Sequence, residues 1–286
     1  MKQILEIHKL TKRYDTYTLD ELSFSVPQGY IMGFIGPNGA GKTTTIKSIM
    51  KMVHPDSGEI KVFGESLSDS NEYNDRIGYV MDNPFYCESW TVQGVEKAVR
   101  GFYKHWDSKV YADCIKRFQL EPTKTLKALS RGMKVKVMLA VALSHGAELL
   151  ILDEPTSGLD PVAREEVCDI LREFITDEKK GVIFSTHITS DLEKVADYIT
   201  FILNGRLIYT GPRDELIESY VRVAGGKESL NEALREKIIG LRDHGMGFEG
   251  LMRREDIAML SSDVGAESTT LEEIIVFMNK GEKNNG

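Results

Sequence analysis

Residues 30–52 read YIMGFI, GPNGAGKTT and TIKSIMKM: an apolar run, a glycine-rich loop and a helix-forming stretch, in that order. The loop fits the phosphate-binding pattern G-x-x-x-x-G-K-[ST] at Gly36, Gly41, Lys42 and Thr43, with Pro37, Asn38, Gly39 and Ala40 between and Thr44 after. Glycines let the backbone turn tightly enough for its N–H groups to point inward at a polyphosphate. A helix starting at the loop adds its N-terminal dipole and unpaired N–H groups. Lys42 then reaches the β- and γ-phosphates, and the Thr43 hydroxyl suits Mg²⁺. An ordinary glycine-rich turn does not require strand, loop and helix in this sequence. The stretch implies a nucleoside triphosphate site at the end of a strand in an α/β core.

At 286 residues the chain is long enough for one large core, or one core and an appendage. Net charge is −8, which argues against a broad nucleic-acid-binding face, since such faces need clustered positive charge. No nucleic acid is expected as a partner. Cys87, Cys114 and Cys168 are far apart and form no CxxC pair, so reduced thiols and no zinc site are expected. The N-terminus MKQILEIHKLTKRY alternates apolar and polar residues, unlike a signal peptide. No apolar run reaches the roughly 18 residues that span a bilayer. A membrane process would need a second chain to supply the membrane part.

Along the chain, ILEIHKL and TLDELSFSV alternate as strands before the buried run YIMGFI. Tyr14, between the first two, offers a flat face able to stack on a purine, or is an ordinary loop aromatic. EIKVFG and RIGYVMD read as further strands, the second ending at Asp82. From about residue 84 to 145 three stretches show helical spacing with no strand between them, which predicts an inserted helical subdomain. ELLILDEP follows, an apolar run closed by Asp153 and Glu154. A run like this fits a strand buried on both faces of a parallel sheet, and carboxylates at its end lie at the edge where α/β folds bind ligands. Asp153 is thus a candidate for Mg²⁺ and Glu154 for the attacking water. GVIFSTH should be the neighbouring strand, bringing His187 to the same edge. From about Pro212 to Gly286 the chain mixes short strands with one amphipathic helix and carries no chemical motif.

Together GPNGAGKTT, LSRGM, LLILDEP, SGLD and His187 resemble the ATP-binding subunits of ABC transporters, over roughly residues 1–220. The resemblance implies a phosphate-loop core with a mostly parallel sheet, an antiparallel β subdomain, the helical insertion and a small α+β appendage at 221–286. It implies ATP and Mg²⁺ as ligands, and Tyr14 as the adenine-stacking aromatic. Ser130 and Gly132 stand in the signature sequence, which in the family contacts the γ-phosphate held by the opposite subunit. Asp153 corresponds to the metal-binding aspartate, Glu154 to the general base and Asp160 to a loop crossing the dimer interface. His187 corresponds to the γ-phosphate switch residue, and with Lys42 and Mg²⁺ it neutralises developing charge.

Three positions depart from the common pattern: Asp82 replaces a glutamine, Arg131 a glycine and Met133 a glutamine. Asp82 still offers an oxygen to the metal or its water. Arg131 adds positive charge near a phosphate, and Met133 removes a polar side chain. These changes resemble exporter ATPases of Gram-positive type that serve peptide or drug export. The resemblance thus implies a head-to-tail dimer on the cytoplasmic face of the membrane, coupled to a transmembrane permease subunit. A stretch at 82–92, around Asp82, Pro84 and Phe85, is expected to line the groove for that subunit. The competing reading is a soluble ATPase of this type acting on ribosome or DNA. Its DNA-repair members need a coiled-coil insert or zinc cysteines, and its translation factors need two cassettes; neither feature is present.

Overall fold

The structure, a computed structural model, describes residues 2–67, 72–81 and 86–285. It divides into two compact units, Met1–Ile208 and Tyr209–Gly286. The first opens with β1 (Gln3–Tyr14) and β2 (Tyr17–Pro27), an antiparallel pair whose alternating Ile4, Leu5, Ile7, Leu10, Leu22 and Phe24 face the core. The five-residue β3 (Ile31–Ile35) is buried along its whole length and runs into the glycine loop and α1 (Lys42–Ile49). β4 (Ser57–Val62) and β5 (Glu65–Ser66) complete an antiparallel sheet in the order β2-β1-β4-β5.

After β6 (Ile77–Val80) come α2 (Val92–Val99), α3 (Ser108–Arg117) and α4 (Arg131–Ser144), with no strand among the described residues before β7 (Leu149–Asp153). Each helix is capped by the chemistry its sequence supplies. Thr91, Asp107 and Ser130 accept from backbone N–H groups in the first turns. α2 stops at Val99 and passes into a short 3-10 turn, so the helix read from WTVQGVEKAVRGFYKHW is shorter than its periodicity predicts. Gly101 and the ring pairs of Tyr103 with His145 and Trp106 explain why. Those rings pack with centroids 4.1 and 6.0 Å apart, and that packing outweighs continued helix.

Next follow α5 (Pro161–Phe174), β8 (Gly181–Ser185), α6 (Thr189–Val195), β9 (Tyr198–Leu203) and β10 (Arg206–Pro212). The core sheet has the order β10-β9-β3-β8-β7-β6, and β9, β3, β8, β7 and β6 pair in parallel. β10 joins the edge through Asn204–Gly205, both at positive φ, the geometry of a primed hairpin turn. In register, Phe34 and Asp153 both pair with Ser185. The glycine loop, Glu154 and His187 therefore leave the sheet at one carboxyl edge, because β3, β7 and β8 are adjacent and parallel.

The second unit contains α7 (Arg213–Glu218), β11 (Tyr220–Gly226), α8 (Glu232–Lys237), β12 (Ile239–His244), β13 (Gly247–Arg253), β14 (Val264–Ser268) and α9 (Leu271–Asn285). Its four strands form an antiparallel sheet, β12-β13-β11-β14, around Val221, Val223, Phe248 and Met252. The α+β composition matches the sequence expectation, with two helices more than the single one read. α7 and α8 have six residues each, too few for a 3.6-residue period to show.

Candidate active site

The glycine loop curls over the start of α1. Gly36 is forced by close approach: a Cβ there would lie 2.3 Å from the Ile202 carbonyl oxygen. Gly41 has φ +111°, and a Cβ there would lie 2.1 Å from the Tyr17 hydroxyl. α1 has no acidic residue in its first turn and no side-chain cap, so its N-terminal donors suit an external anion. Lys42 is buried, and its ammonium donates to the Gly36 carbonyl at 2.7 Å and the Pro37 carbonyl at 3.4 Å. Burial lowers its pKa, while Glu154, 3.6 Å away, and Asp153 pull it back up.

Asp153 ends β7 beneath the loop. Its Oδ2 accepts from the Thr43 hydroxyl at 3.0 Å, and its buried Oδ1 has no hydrogen-bond partner. Burial raises its pKa, and the Thr43 hydrogen bond opposes the rise. A buried carboxylate with a vacant oxygen beside a hydroxyl is an oxygen donor set that fits a hard divalent cation. Glu154 follows in the left-handed region, φ +53°, with its N–H donating to the Ser185 carbonyl at 2.9 Å. This conformation costs a non-glycine residue about 1–3 kcal/mol and persists only where the surroundings hold it. The Glu154 carboxylate bridges the site: Oε1 faces Lys42, and Oε2 lies 2.6 Å from Nδ1 of His187.

These groups share a cleft of about 780 Å³ lined by Pro37, Asn38, Gly39, Gly41, Lys42, Thr43, Thr44, Glu154 and His187, with Tyr14 at one end. Gly36 and Ala40 stand behind its wall, and Asp153 lies beneath Thr43. The cleft also takes in Thr16, Tyr17 and Ser157, which the sequence reading missed. Tyr17 donates its hydroxyl to the Ala40 carbonyl at 2.8 Å and so braces the loop from behind. Two tyrosines in YDTY were the only signal, and the sequence does not say which one turns inward. Tyr14 is 46% exposed, with Lys12 Nζ 5.7 Å from its ring centroid.

An ABC transporter family model matches residues 19–157. The bacitracin transport ATP-binding protein BcrA of Bacillus licheniformis is 31% identical over 88% of this chain and 85% of that protein. Nod factor export ATP-binding protein I of Burkholderia orbicola is 35% identical over 76% of this chain and 73% of that protein. The chain belongs to the ABC transporter ATP-binding proteins. A solved structure described as the ATP binding subunit of an ABC transporter superposes with TM-score 0.67 at 29% identity, covering 74% of this chain and 91% of that one. As a member of this family the chain is an ATP-hydrolysing transporter subunit, and ATP is its nucleotide.

The remaining residues singled out in this ABC subunit lie elsewhere. Ser130, Gly132 and Asp160 are absent from the cleft lining. Ser130 caps α4, accepting from Met133 N–H at 3.3 Å. Asp160 caps α5, accepting from Val162 and Ala163 N–H at 3.0 and 3.1 Å. Gly132 lies where a Cβ would sit 3.3 Å from Cβ of Ala163 and 3.5 Å from Leu159. Ser130 and Asp160 are exposed. Asp82, Pro84 and Phe85 fall outside the described residues. No helix among the described residues is long and apolar enough to cross a membrane.

Proposed function

We propose that two copies of this chain close head to tail on two ATP molecules, each held by one copy's phosphate loop and the other copy's Ser130 and Gly132. The observation that supports this most is the one-sidedness of the cleft. Loop, base and switch residue line it, while exposed Ser130 and Asp160 lie outside it on the same unit. A second copy supplies what the cleft lacks. Closure drives export of a peptide or hydrophobic compound through a separate transmembrane subunit, with the chain on the cytoplasmic face of the membrane. Relatives named for bacitracin transport and Nod factor export support that direction. Residues 1–220 carry the ATPase work, and 221–286 are accessory.

In the chemical step Tyr14 stacks on adenine, and Lys42 turns from the Gly36 carbonyl to the β- and γ-phosphates. Thr43 and Asp153 would hold Mg²⁺, with Asp82 a further candidate ligand. When bound, that ion draws charge from the phosphate oxygens. Glu154 orients the attacking water and takes its proton, and His187 meets the γ-phosphate.

Mixed dimers test this reading. A Lys42→Ala chain has a damaged loop and an intact signature; a Ser130→Arg chain has the reverse. Each homodimer has two half-damaged sites and should bind no ATP tightly. A mixed dimer pairs both damaged halves in one site and both intact halves in the other, so one tight site per dimer should return. Mixed dimers that form but recover no tight binding would remove Ser130 from its neighbour's site.

A further inference from the structure

Arg131 opens α4 immediately after its cap, and its side chain lies across Gly158. A Cβ on Gly158 would sit 3.0 Å from Nη1, 3.6 Å from Cζ and 3.7 Å from Cδ of Arg131. Nε of Arg131 is buried. Helix formation does not explain an arginine here. A cation in the first turn opposes the helix dipole, and α4 has no acidic residue there to offset it. Its neighbours on the helix are engaged elsewhere, Lys134 with Glu88 at 3.5 Å and Lys136 with Glu166 at 2.6 Å.

What Arg131 covers is the turn that follows the catalytic edge. Ser157 lines the ATP cleft, and its N–H donates back to the Glu154 carbonyl at 3.3 Å. Leu159 N–H donates to the Thr156 carbonyl at 3.2 Å, and Asp160 then caps α5. Gly158 itself is at φ +70° and has no side chain with which to anchor the turn. Glu154 is held in the left-handed region at one end of this turn.

We propose that Arg131 is a positioning residue for the ATPase site of its own chain: laid over Gly158, it ties the 155–160 turn to the N-terminus of α4. The placement of Ser157 and Glu154 then follows the signature helix. The glycine usual in the family at this position has no side chain to make such a tie. The proposal rests on Glu154 and Ser157 belonging to the ATPase site.

The test uses the full-length chain, with ATP hydrolysis and backbone hydrogen exchange as separate readouts. Arg131→Ala should lower kcat about tenfold with KM within about twofold, the pattern of a displaced catalytic group. Arg131→Lys keeps stem and charge without the planar fork, and should fall between the two. Gly158→Ala is strained at φ +70° in either background, and it should lower kcat further in the parent, by pushing the guanidinium away, than when added to Arg131→Ala. Exchange at 155–160 should rise in Arg131→Ala while α4 and α5 stay protected. Equal losses from Gly158→Ala in both backgrounds would overturn the tie, as would unchanged exchange at 155–160. Exchange rising through all of α4 and α5 would make Arg131 a packing residue and overturn it too. Glu154→Gln with full turnover would sink the catalytic reading instead, and leaves the exchange measurement as a test of the tie.

Discussion

Tyr17→Phe removes one hydroxyl from behind the phosphate loop, and its effect can be worked from two distances. The hydroxyl donates to the Ala40 carbonyl at 2.8 Å, and the same carbonyl also accepts from Gly205 N–H at 3.2 Å. The carbonyl is therefore not orphaned, and the loss lies in the lower half of the range for a hydrogen bond, about 0.5–1 kcal/mol. If it falls on the ATP-ready loop, ATP affinity drops about two- to fivefold. Tyr17→Ala also removes a half-buried ring packed against the core, which costs about 2 kcal/mol, roughly half the figure for a fully buried aromatic. Calorimetric titration with ATP and thermal unfolding separate the two effects. The same residue predicts a pH dependence. Burial, and secondly the neighbouring Tyr14, push the Tyr17 phenol from 10.0 up to about 12. Between those values the unfolded chain releases the proton and the folded chain keeps it. This contribution to stability is fully present below pH 10 and is lost as pH rises towards 12; Tyr17→Phe should lack the loss. An ATP affinity unchanged in both variants would refute the brace. A loss well beyond tenfold in Tyr17→Phe would mean that the hydroxyl contacts nucleotide directly.

Glu154→Gln should lower turnover about 10²–10⁴-fold, the share of a general base, while ATP still binds and an ATP-bound dimer accumulates on size-exclusion chromatography. Full turnover would dismiss Glu154 as the base. Tyr14→Ala should weaken ATP binding by about 1–3 kcal/mol and Tyr14→Phe by little, as measured by nucleotide titration; equal binding by all three chains would return Tyr14 to a loop aromatic. Gly41→Ala places a Cβ 2.1 Å from the Tyr17 hydroxyl at φ +111°, a strain of about 1–3 kcal/mol, and should reduce ATP affinity about 5- to 150-fold. Wild-type affinity there would show that the loop opens at no cost.

The parts of this site that were legible in the sequence are those whose chemistry is local. A tight turn needs Gly41, an anion site needs the start of α1, and a fully buried strand ending in two carboxylates must leave them at the sheet edge. Three parallel strands then do the rest, since Phe34, Asp153 and Ser185 are fixed in register. What was not legible depends on contacts between distant segments. Tyr17 reaches Ala40 across 23 positions, and Arg131 reaches Gly158 between two helices. Neither pair leaves a period or spacing to read. The C-terminal unit hid two helices for a different reason: six residues make too few turns to reveal a face.

The proposed roles also give an order of events. Lys42, Glu154 and His187 satisfy one another: the ammonium rests on loop carbonyls beside Glu154, and Glu154 holds His187 at its other oxygen. Lys42 and His187 thus compete with water for the two oxygens of the base. A polyphosphate in the cleft offers Lys42 a stronger partner than neutral carbonyls. Lys42 then leaves Glu154, and the γ-phosphate draws His187 from Oε2. Glu154 is then more open to water, still held in its strained backbone by the turn beyond it. The phosphate that water is to attack thus itself draws Lys42 and His187 off the base, which ties proton transfer to a filled cleft.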